Sequence, residues 1–531
     1  MTDRPPPPAW SLDADGTLVT LARNLSTRYL VLFVEIVIGF VMLPFNLAHL
    51  GPAQYGLWIL VGGVTAHFSI LDLGYGGATV KFVAQYRAHR NARALNEIAS
   101  TLFFIFAGIG LVAYGAAALL AFNLDHVFRL TPEQAETGKA ILLIVAVHAA
   151  INFPFSVFGG ITSGFQRYDI NNFVATATTI TAAAVNASVL MGGYGLVTLV
   201  AATTAVRISA YYFYRLNAYR VFPDLRIRPS LFCRKRLREL TGFSVYSAII
   251  DWAYKLNYQL DAIVIGAVVG SAAVSVWAVA ERLISGTQRL TNQLNGVLFP
   301  VVVDRDQRAH REHLQQILLQ GTRLSLVMVM PIAMSLVLLA EPLVRAWVGP
   351  DMLGAVPVIQ ILAIAVAIRV GNASGTILLK GAGQHRKLAL VNLTTGLANV
   401  GLSVLLIGPY GLPGVAMGTL LPIACSSVFI LYPAACRLSG LPLRRAVVRA
   451  ILPAVWPAFA TAGLLVFARN ISSGTLLAVM GIAAGGCTVY LALVLLVAID
   501  RNDRELYLTK LRQLAQRVRR RSVRARSRLA A

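Results

Sequence analysis

Charge is what this sequence has least of. Only 13% of its 531 residues are Asp, Glu, Lys or Arg, against roughly a quarter in soluble domains. The chain is 57% hydrophobic with a mean hydropathy of +0.67. That argues against a soluble enzyme and for a polytopic membrane protein. Acids are scarcer than bases, 23 against 47, which gives a formal net charge of +24. Cysteine is nearly absent. Cys233, Cys425, Cys436 and Cys487 are isolated, with no CxxC pair and no nearby histidine cluster. A disulfide framework or metal site is therefore not expected, and the four read as small apolar residues. GxSxG, HExxH and a phosphate-cradling glycine loop are all missing. Hydrolase chemistry and ATP-driven transport by this chain lose their usual signatures, and no cofactor is implied. Residues 1–25 carry four successive prolines and no long apolar core before a small-residue cleavage site. They read as a short extended tail and not as a secretory signal.

Long apolar runs, by contrast, are abundant. A helix needs roughly 20 apolar residues to cross about 30 Å of hydrocarbon. Windows of that length give fourteen candidate spans, near 26–48, 54–77, 98–121, 139–162, 170–191, 195–216, 241–268, 273–302, 314–340, 354–379, 388–408, 413–436, 450–468 and 474–499. The basic residues test the count. With a cytoplasmic N-terminus, 36 of the 47 fall in cytoplasmic segments and only Arg129, Lys139, Arg345 and Arg469 fall outside, the other seven lying in spans. Both termini are thus expected in the cytoplasm. The basic excess faces anionic lipid, which removes most of the case for nucleic acid. In the tail, Leu506, Leu508, Leu511, Leu514 and Val518 recur at roughly helical spacing, as in a surface-lying helix.

The expected organisation is all-α. It comprises an N-terminal tail (1–25), a six-helix lobe (26–218), a basic cytoplasmic linker (219–240) and a second six-helix lobe (241–436). A helix pair (437–500) and a polybasic tail (501–531) follow. The two lobes are read as pseudo-symmetric because motifs recur in order. GGYGLVTLVAATT opens span six and GPYGLPGVAMGTL opens span twelve, each preceded by a Gly–x–x–Arg turn, GFQR at 164–167 and GQHR at 383–386. Transporters commonly bind substrate between such repeats.

Ionisable groups inside spans cost roughly 2.5–3.5 kcal/mol each, so they usually face a cavity or a partner. In span eight, Arg282, Gly286, Arg289, Gln293 and Gly296 recur every three or four residues and share one face. From Arg282 to Gln293 is roughly 16 Å of helix, too long a polar stripe to face lipid. Arg207, Arg323 and Arg369 sit deep in their spans, and Lys255 stands four residues from Asp251, close enough to pair on one helix. Glu35, Asp72, Asp251 and Asp261 are the candidate coupling carboxylates, with Glu281 a further acid. Asp72 lies near the cytoplasmic edge of span two, and Lys81 joins Arg87, Arg90 and Arg93 in a cytoplasmic basic entrance. The bias is cationic: arginines at Arg207, Arg282, Arg289, Arg323 and Arg369, with Lys81 and Lys255, suit an anionic head group that a guanidinium binds in bidentate fashion. Structural seams and self-satisfied ion pairs are the bland alternative for each of them.

LGPAQYGLWILV, LDLGYGGATVKFVAQYRAHRN, FGGITSGFQRYDINN, LDAIVIGAVVGSAAVSVWAVAERL and YGLPGVAMGTLL together resemble polysaccharide flippases, the Wzx-type branch of the multidrug/oligosaccharidyl-lipid/polysaccharide exporter superfamily. The resemblance covers most of residues 25–436. It implies a fourteen-helix inner-membrane protein that moves undecaprenyl-diphosphate-linked oligosaccharides to the outer leaflet by alternating access, alongside the polymerase and glycosyltransferases of its pathway. A drug/cation antiporter of the MATE type is the neighbouring alternative, and would show a dominant lumen carboxylate. A membrane-embedded polymerase or ligase is the alternative from another class, and would need catalysis in an outer loop such as 122–138.

Overall fold

A computed structural model of the chain describes residues 14–241, 252, 260–306, 311–471 and 474–498. The expected Asp251–Lys255 pair and the amphipathic tail lie outside the described residues. Every regular element among the described residues is helical, as a bilayer demands of a backbone that must satisfy its own hydrogen bonds. The principal helices are α1 (Ala14–His67), α2 (Tyr75–Ala88), α3 (Ala92–Ala121), α4 (Pro132–Gly164), α5 (Tyr168–Met191), α6 (Leu196–Val221), α7 (Asp261–Val268) and α8 (Ser271–Asp306). They continue as α9 (Arg311–Trp347), α10 (Ala355–Gly371), α11 (Ala373–Gly381), α12 (His385–Cys425), α13 (Tyr432–Ser439), α14 (Leu452–Ile471) and α15 (Leu476–Leu493).

Ten helical segments are long and apolar enough to cross a membrane. Two of them, Thr27–His67 and Arg386–Ser439, run to 41 and 54 residues, well beyond the roughly 20 that one crossing needs. Each is broken by a glycine with left-handed φ, Gly51 at 74° and Gly411 at 60°. These are the points at which the apolar runs of the sequence divide. Elsewhere local chemistry sets the helix ends. Thr131 and Gln134 form a reciprocal capping box before Pro132, and the Asn91 side chain accepts the Ala94 N–H at 2.9 Å to start α3.

The helices gather into two compact units. One comprises Met1–Arg289, Trp347–Leu362 and His385–Ile423, and the other Leu290–Ala346, Ala363–Gln384 and Ala424–Ala531. The core of the first is apolar and aromatic, with Phe82, Leu95, Ile98, Leu102, Phe106, Val157 and Ile161 all buried. Gly164 has no side chain because Val83 of α2 occupies the space a Cβ would fill. In the second unit, Leu339, Leu465 and Val479 pack together, and the buried Tyr490 donates to the Ala454 carbonyl at 2.7 Å. Two π-helical turns, Ser426–Leu431 and Val447–Ile451, also belong to this unit.

The segment expected as a basic linker is bound along α3. Asn96 donates to the Asp224 carbonyl and accepts the Arg226 N–H, both at 2.9 Å. Ser100 bridges Arg226 and Arg228, and Thr101 accepts the Cys233 N–H. Phe222 and Leu225 drop into the core. Arg236 bridges Glu97 and Glu239 at 3.2 Å each and donates to the Tyr86 hydroxyl at 2.7 Å. Burial works against its charge, but the two carboxylates outweigh it and hold Arg236 above the ordinary guanidinium range.

Candidate functional site

Within the first unit, α1, α4, α5, α6 and α8 enclose a cavity of about 600 Å³. A recess of about 320 Å³ shares its Gly39, Asn46, Trp58, Arg282 and Arg289 walls. Both are built around the polar face of α8. Arg282 and Arg289 lie seven residues apart, two turns on the same side, and both reach the cavity. The side chains of α8 beyond Arg289, that of Gln293 among them, lie outside the described residues.

Opposite them, α1 supplies a matching surface. Gly39 is a notch: the Arg282 guanidinium occupies the position a Cβ there would take. From that notch Arg282 donates to the Glu35 carbonyl oxygen at 3.4 Å. Arg289 donates to the Glu35 carboxylate at 3.0 Å. The two guanidinium groups therefore converge on one turn of α1, spaced by Glu35 and Gly39 at i and i+4. Trp347 secures that turn by donating to the Phe40 carbonyl at 2.9 Å and stacking on the Phe40 ring with centroids 4.6 Å apart. Below the Gly51 break, the Ser275 hydroxyl donates to the Pro52 carbonyl.

Arg207 of α6 lines the same cavity, exposed to it and with no ion pair to a carboxylate among the described residues. Near it on the α4 wall stands His148. Its Nε2 lies 2.9 Å from the Tyr211 hydroxyl, which in turn donates to Asn152 Oδ1 at 2.9 Å. With the hydroxyl proton committed to Asn152, Nε2 carries a hydrogen and donates to Tyr211. Tyr211 is one turn beyond Arg207 on α6, so this chain fixes the His148 ring one helical turn from a cation. Thr178, Thr179, Asn186, Thr203 and Thr204 add uncharged hydrogen-bonding groups. Sequence reasoning missed His148 and this hydroxyl lining. The available signal was the pair of polar residues His148 and Asn152, one turn apart in ILLIVAVHAAINF, which a membrane span rarely carries without a reason.

The other expected residues fall elsewhere. Asp261 is buried beside α12, hydrogen-bonded to Thr419, where Asn399 donates to the Thr419 hydroxyl at 3.3 Å. Its acid neighbour Glu281 lines the recess. Asp72 accepts the Gly76 N–H at 3.1 Å and so caps α2. Lys81 is exposed, its ammonium 5.1 Å from the Phe82 ring. Of the basic entrance, Arg90 and Arg93 are exposed, whereas Arg87 is buried against Phe165 and donates to the Gly164 carbonyl at 3.4 Å. Burial pushes Arg87 below the usual guanidinium range. Arg323 and Arg369 belong to the second unit.

The described lining of cavity and recess thus carries Arg207, Arg282 and Arg289 against Glu35 and Glu281. Such a surface offers paired guanidinium forks to an anion and hydroxyl groups to a polar ligand.

A family model described as polysaccharide biosynthesis protein matches residues 50–356. The uncharacterized membrane protein EpsK of Bacillus subtilis is 23% identical over 74% of this chain and 79% of its own length. The succinoglycan biosynthesis transport protein ExoT of Rhizobium meliloti is 24% identical over 72% of this chain and 73% of its own. Among solved structures, the lipid II flippase MurJ in an inward closed conformation aligns with a TM-score of 0.67 at 12% identity, covering 90% of this chain and 98% of that one. An inward-facing MATE family multidrug transporter of the MOP superfamily aligns with a TM-score of 0.62 at 15% identity, over 77% and 94% of the two chains.

Proposed function

Because the chain belongs to the polysaccharide biosynthesis protein family, we propose that it is a flippase. On this reading it carries undecaprenyl-diphosphate-linked oligosaccharide repeat units from the cytoplasmic to the outer leaflet of the inner membrane. The observation that supports this most is the cavity in which Arg207, Arg282 and Arg289 outnumber the carboxylates. A diphosphate needs paired guanidinium groups out of bulk water, and the Arg282/Arg289 face supplies them. The hydroxyl-rich α5 and α6 walls suit the first sugars. The name of ExoT, a transport protein of succinoglycan biosynthesis, points the same way.

Fourteen crossings with both termini cytoplasmic fit this reading. Dividing the two over-long segments at Gly51 and Gly411 brings ten to twelve, and the apolar stretches at 241–268 and 273–302 bring the count to fourteen. Alternating access would expose the cavity to each side in turn. Asp261, buried and hydrogen-bonded, is the preferred coupling carboxylate, with Asp251 and Glu35 behind it. Arg323, Arg369 and Lys81 stand outside the described cavity lining, Lys255 lies outside the described residues, and none takes an assigned step.

Arg289→Glu tests the proposal. It removes the guanidinium that pairs with Glu35 at 3.0 Å, sets a second carboxylate on the same side of the site and reverses one fork of the anion site. The expected outcome is loss of polymer export, with lipid-linked repeat units retained on the cytoplasmic side and unchanged protein in the membrane. Full export by this variant would sink the site assignment.

A further inference from the structure

A diphosphate does not account for one residue of the first unit's cavity. His148 of α4 lines that cavity beside Arg207 of α6. Its Nε2 lies 2.9 Å from the Tyr211 hydroxyl, which gives its proton to Asn152 Oδ1 at 2.9 Å. Nε2 therefore carries the ring hydrogen, and Nδ1 is left as a bare acceptor. Tyr211 does not require this bond, because Asn152 already satisfies its only donor. The imidazole is half-buried. Its Nδ1 makes no hydrogen bond among the described residues and keeps accessible surface. A polar side chain that no neighbour requires is costly inside a span and marks a pathway for polar cargo.

The threonines around it make the same demand. On α5 the Thr178 and Thr179 hydroxyls donate to the Val174 and Ala175 carbonyls at 2.7 and 2.9 Å. On α6 the Thr203 hydroxyl donates to the Leu199 carbonyl at 2.8 Å. All three line the cavity. With their protons spent on their own helices, they have only lone pairs left for a ligand. Arg207 is the reverse, a donor that cannot accept. Phosphate and carboxylate oxygens would satisfy Arg207 and leave His148 Nδ1 unmet. An ammonium would donate to Nδ1, but Arg207 repels its charge. A sugar serves both groups, since one hydroxyl donates to Nδ1 while the same or a neighbouring oxygen accepts from the guanidinium.

We propose that His148, held as an acceptor by Tyr211, reads a free hydroxyl on a sugar of the cargo, with Arg207 meeting an oxygen of the same sugar. His148 is then a specificity-determining residue, and the cavity has two parts. The Arg282/Arg289 face takes the diphosphate, and the α4–α6 wall takes the sugar. An alkylated or acylated oxygen at the position that meets Nδ1 keeps its lone pairs and loses its donor, so such a sugar is rejected. The inference rests on the flippase reading for the cargo being a glycan, and on the hydrogen bonds above for which of its groups is read.

The test measures binding to the full-length protein in nanodiscs. The probes are an isoprenyl diphosphate without sugar, the same lipid bearing one hexose (glucose and galactose in parallel), and a panel in which each hexose hydroxyl in turn is replaced by fluorine. Fluorine keeps the size and removes the donor. At least one panel position is expected to weaken wild-type binding about tenfold. His148→Leu removes the acceptor and leaves Tyr211 bonded to Asn152. It is expected to cut that penalty to about twofold or less while the sugar-free lipid binds as before. A wild-type panel with no penalty above about twofold would overturn the proposal, as would an undiminished penalty in His148→Leu. If the sugar-free lipid fails to bind while the penalty and its loss persist, the diphosphate reading falls and the sugar site stands. If the sugar-free lipid binds and the panel is flat, the sugar site falls and the diphosphate reading stands.

Discussion

Replacing Gly39 by alanine separates the position of Arg282 from its charge. The added methyl would overlap the Arg282 guanidinium, so the arginine must leave its notch and give up the Glu35 carbonyl 3.4 Å away. A hydrogen bond to a charged group is worth about 1.5–3 kcal/mol, and the length of this one selects the lower end. If the displaced fork also fails to meet the diphosphate, binding weakens by about tenfold or more. The helix itself responds in the opposite direction, because alanine is preferred to glycine in a helix interior by about 1 kcal/mol. Gly39→Ala should therefore lower polymer export and isoprenyl diphosphate affinity while leaving the melting temperature of the detergent-purified protein level or slightly lower. Gly62→Ala is the control, since Gly62 lines the same cavity and a Cβ there meets nothing within 4 Å. Wild-type affinity and export in Gly39→Ala would refute the reasoning. An equal fall in Gly62→Ala would attribute the effect to helix flexibility instead.

Three further outcomes follow from the same geometry. Glu35→Gln removes a half-exposed ion pair worth at most about 1 kcal/mol, so stability should hardly move while diphosphate affinity rises, because Arg289 loses its internal competitor; titration with an isoprenyl diphosphate measures it. Tyr211→Phe strands His148 Nε2 and Asn152 Oδ1, at about 1–3 kcal/mol for each unsatisfied group, and should lower the melting temperature by several degrees with cavity charge unchanged. Asn96→Ala releases the Asp224 carbonyl and the Arg226 N–H together and should speed tryptic cleavage between residues 226 and 238, read by mass spectrometry of the fragments.

Much of the fold was legible because membrane spans depend on composition and length, which one sequence displays directly. The Arg282–Arg289 face was legible for a related reason: a 3.6-residue period needs no partner to be seen. What stayed hidden depends on contacts between distant residues. Nothing in RVFPDLRIRPSLFC shows that its backbone is bound by Asn96, Ser100 and Thr101, some 126 to 132 positions away. His148 reads as one polar residue in a span until Tyr211 meets it. The recurring Gly–x–x–Arg turn shows a subtler limit. Phe165, Gln166 and Arg167 close α4 by bonding to Ile161, Ser163 and Thr162. The same three bonds close α11 through Ala382, Gly383 and Gln384. The turns correspond with Gly164 matched to Gly381, two residues before the GQHR match, so Arg386 is not the counterpart of Arg167. Backbone hydrogen bonds define that equivalence, and letters alone misplace it.

The shortage of acids takes on a different meaning once the basic residues are sorted by where they act. Those of the loops are expected from the positive-inside rule to orient the chain, a role that carries no information about cargo. The fold is equally neutral, since a flippase and a drug transporter both align with it. Only the lining of the cavity discriminates. A site for cationic drugs needs a carboxylate free to meet the cargo. Here Glu35 is already held by Arg289 at 3.0 Å, and Asp261 is buried against Thr419, off the described lining. Glu281 is the remaining acid, and it shares its recess with Arg282. Arg207, in contrast, faces the cavity with no carboxylate paired to it among the described residues. Arg207 and Glu281 are thus lining charges with no ion pair among the described residues, and what separates the two cargoes is the excess of bases, three guanidinium groups against two carboxylates. That asymmetry follows from five side chains, and it favours the diphosphate over the drug.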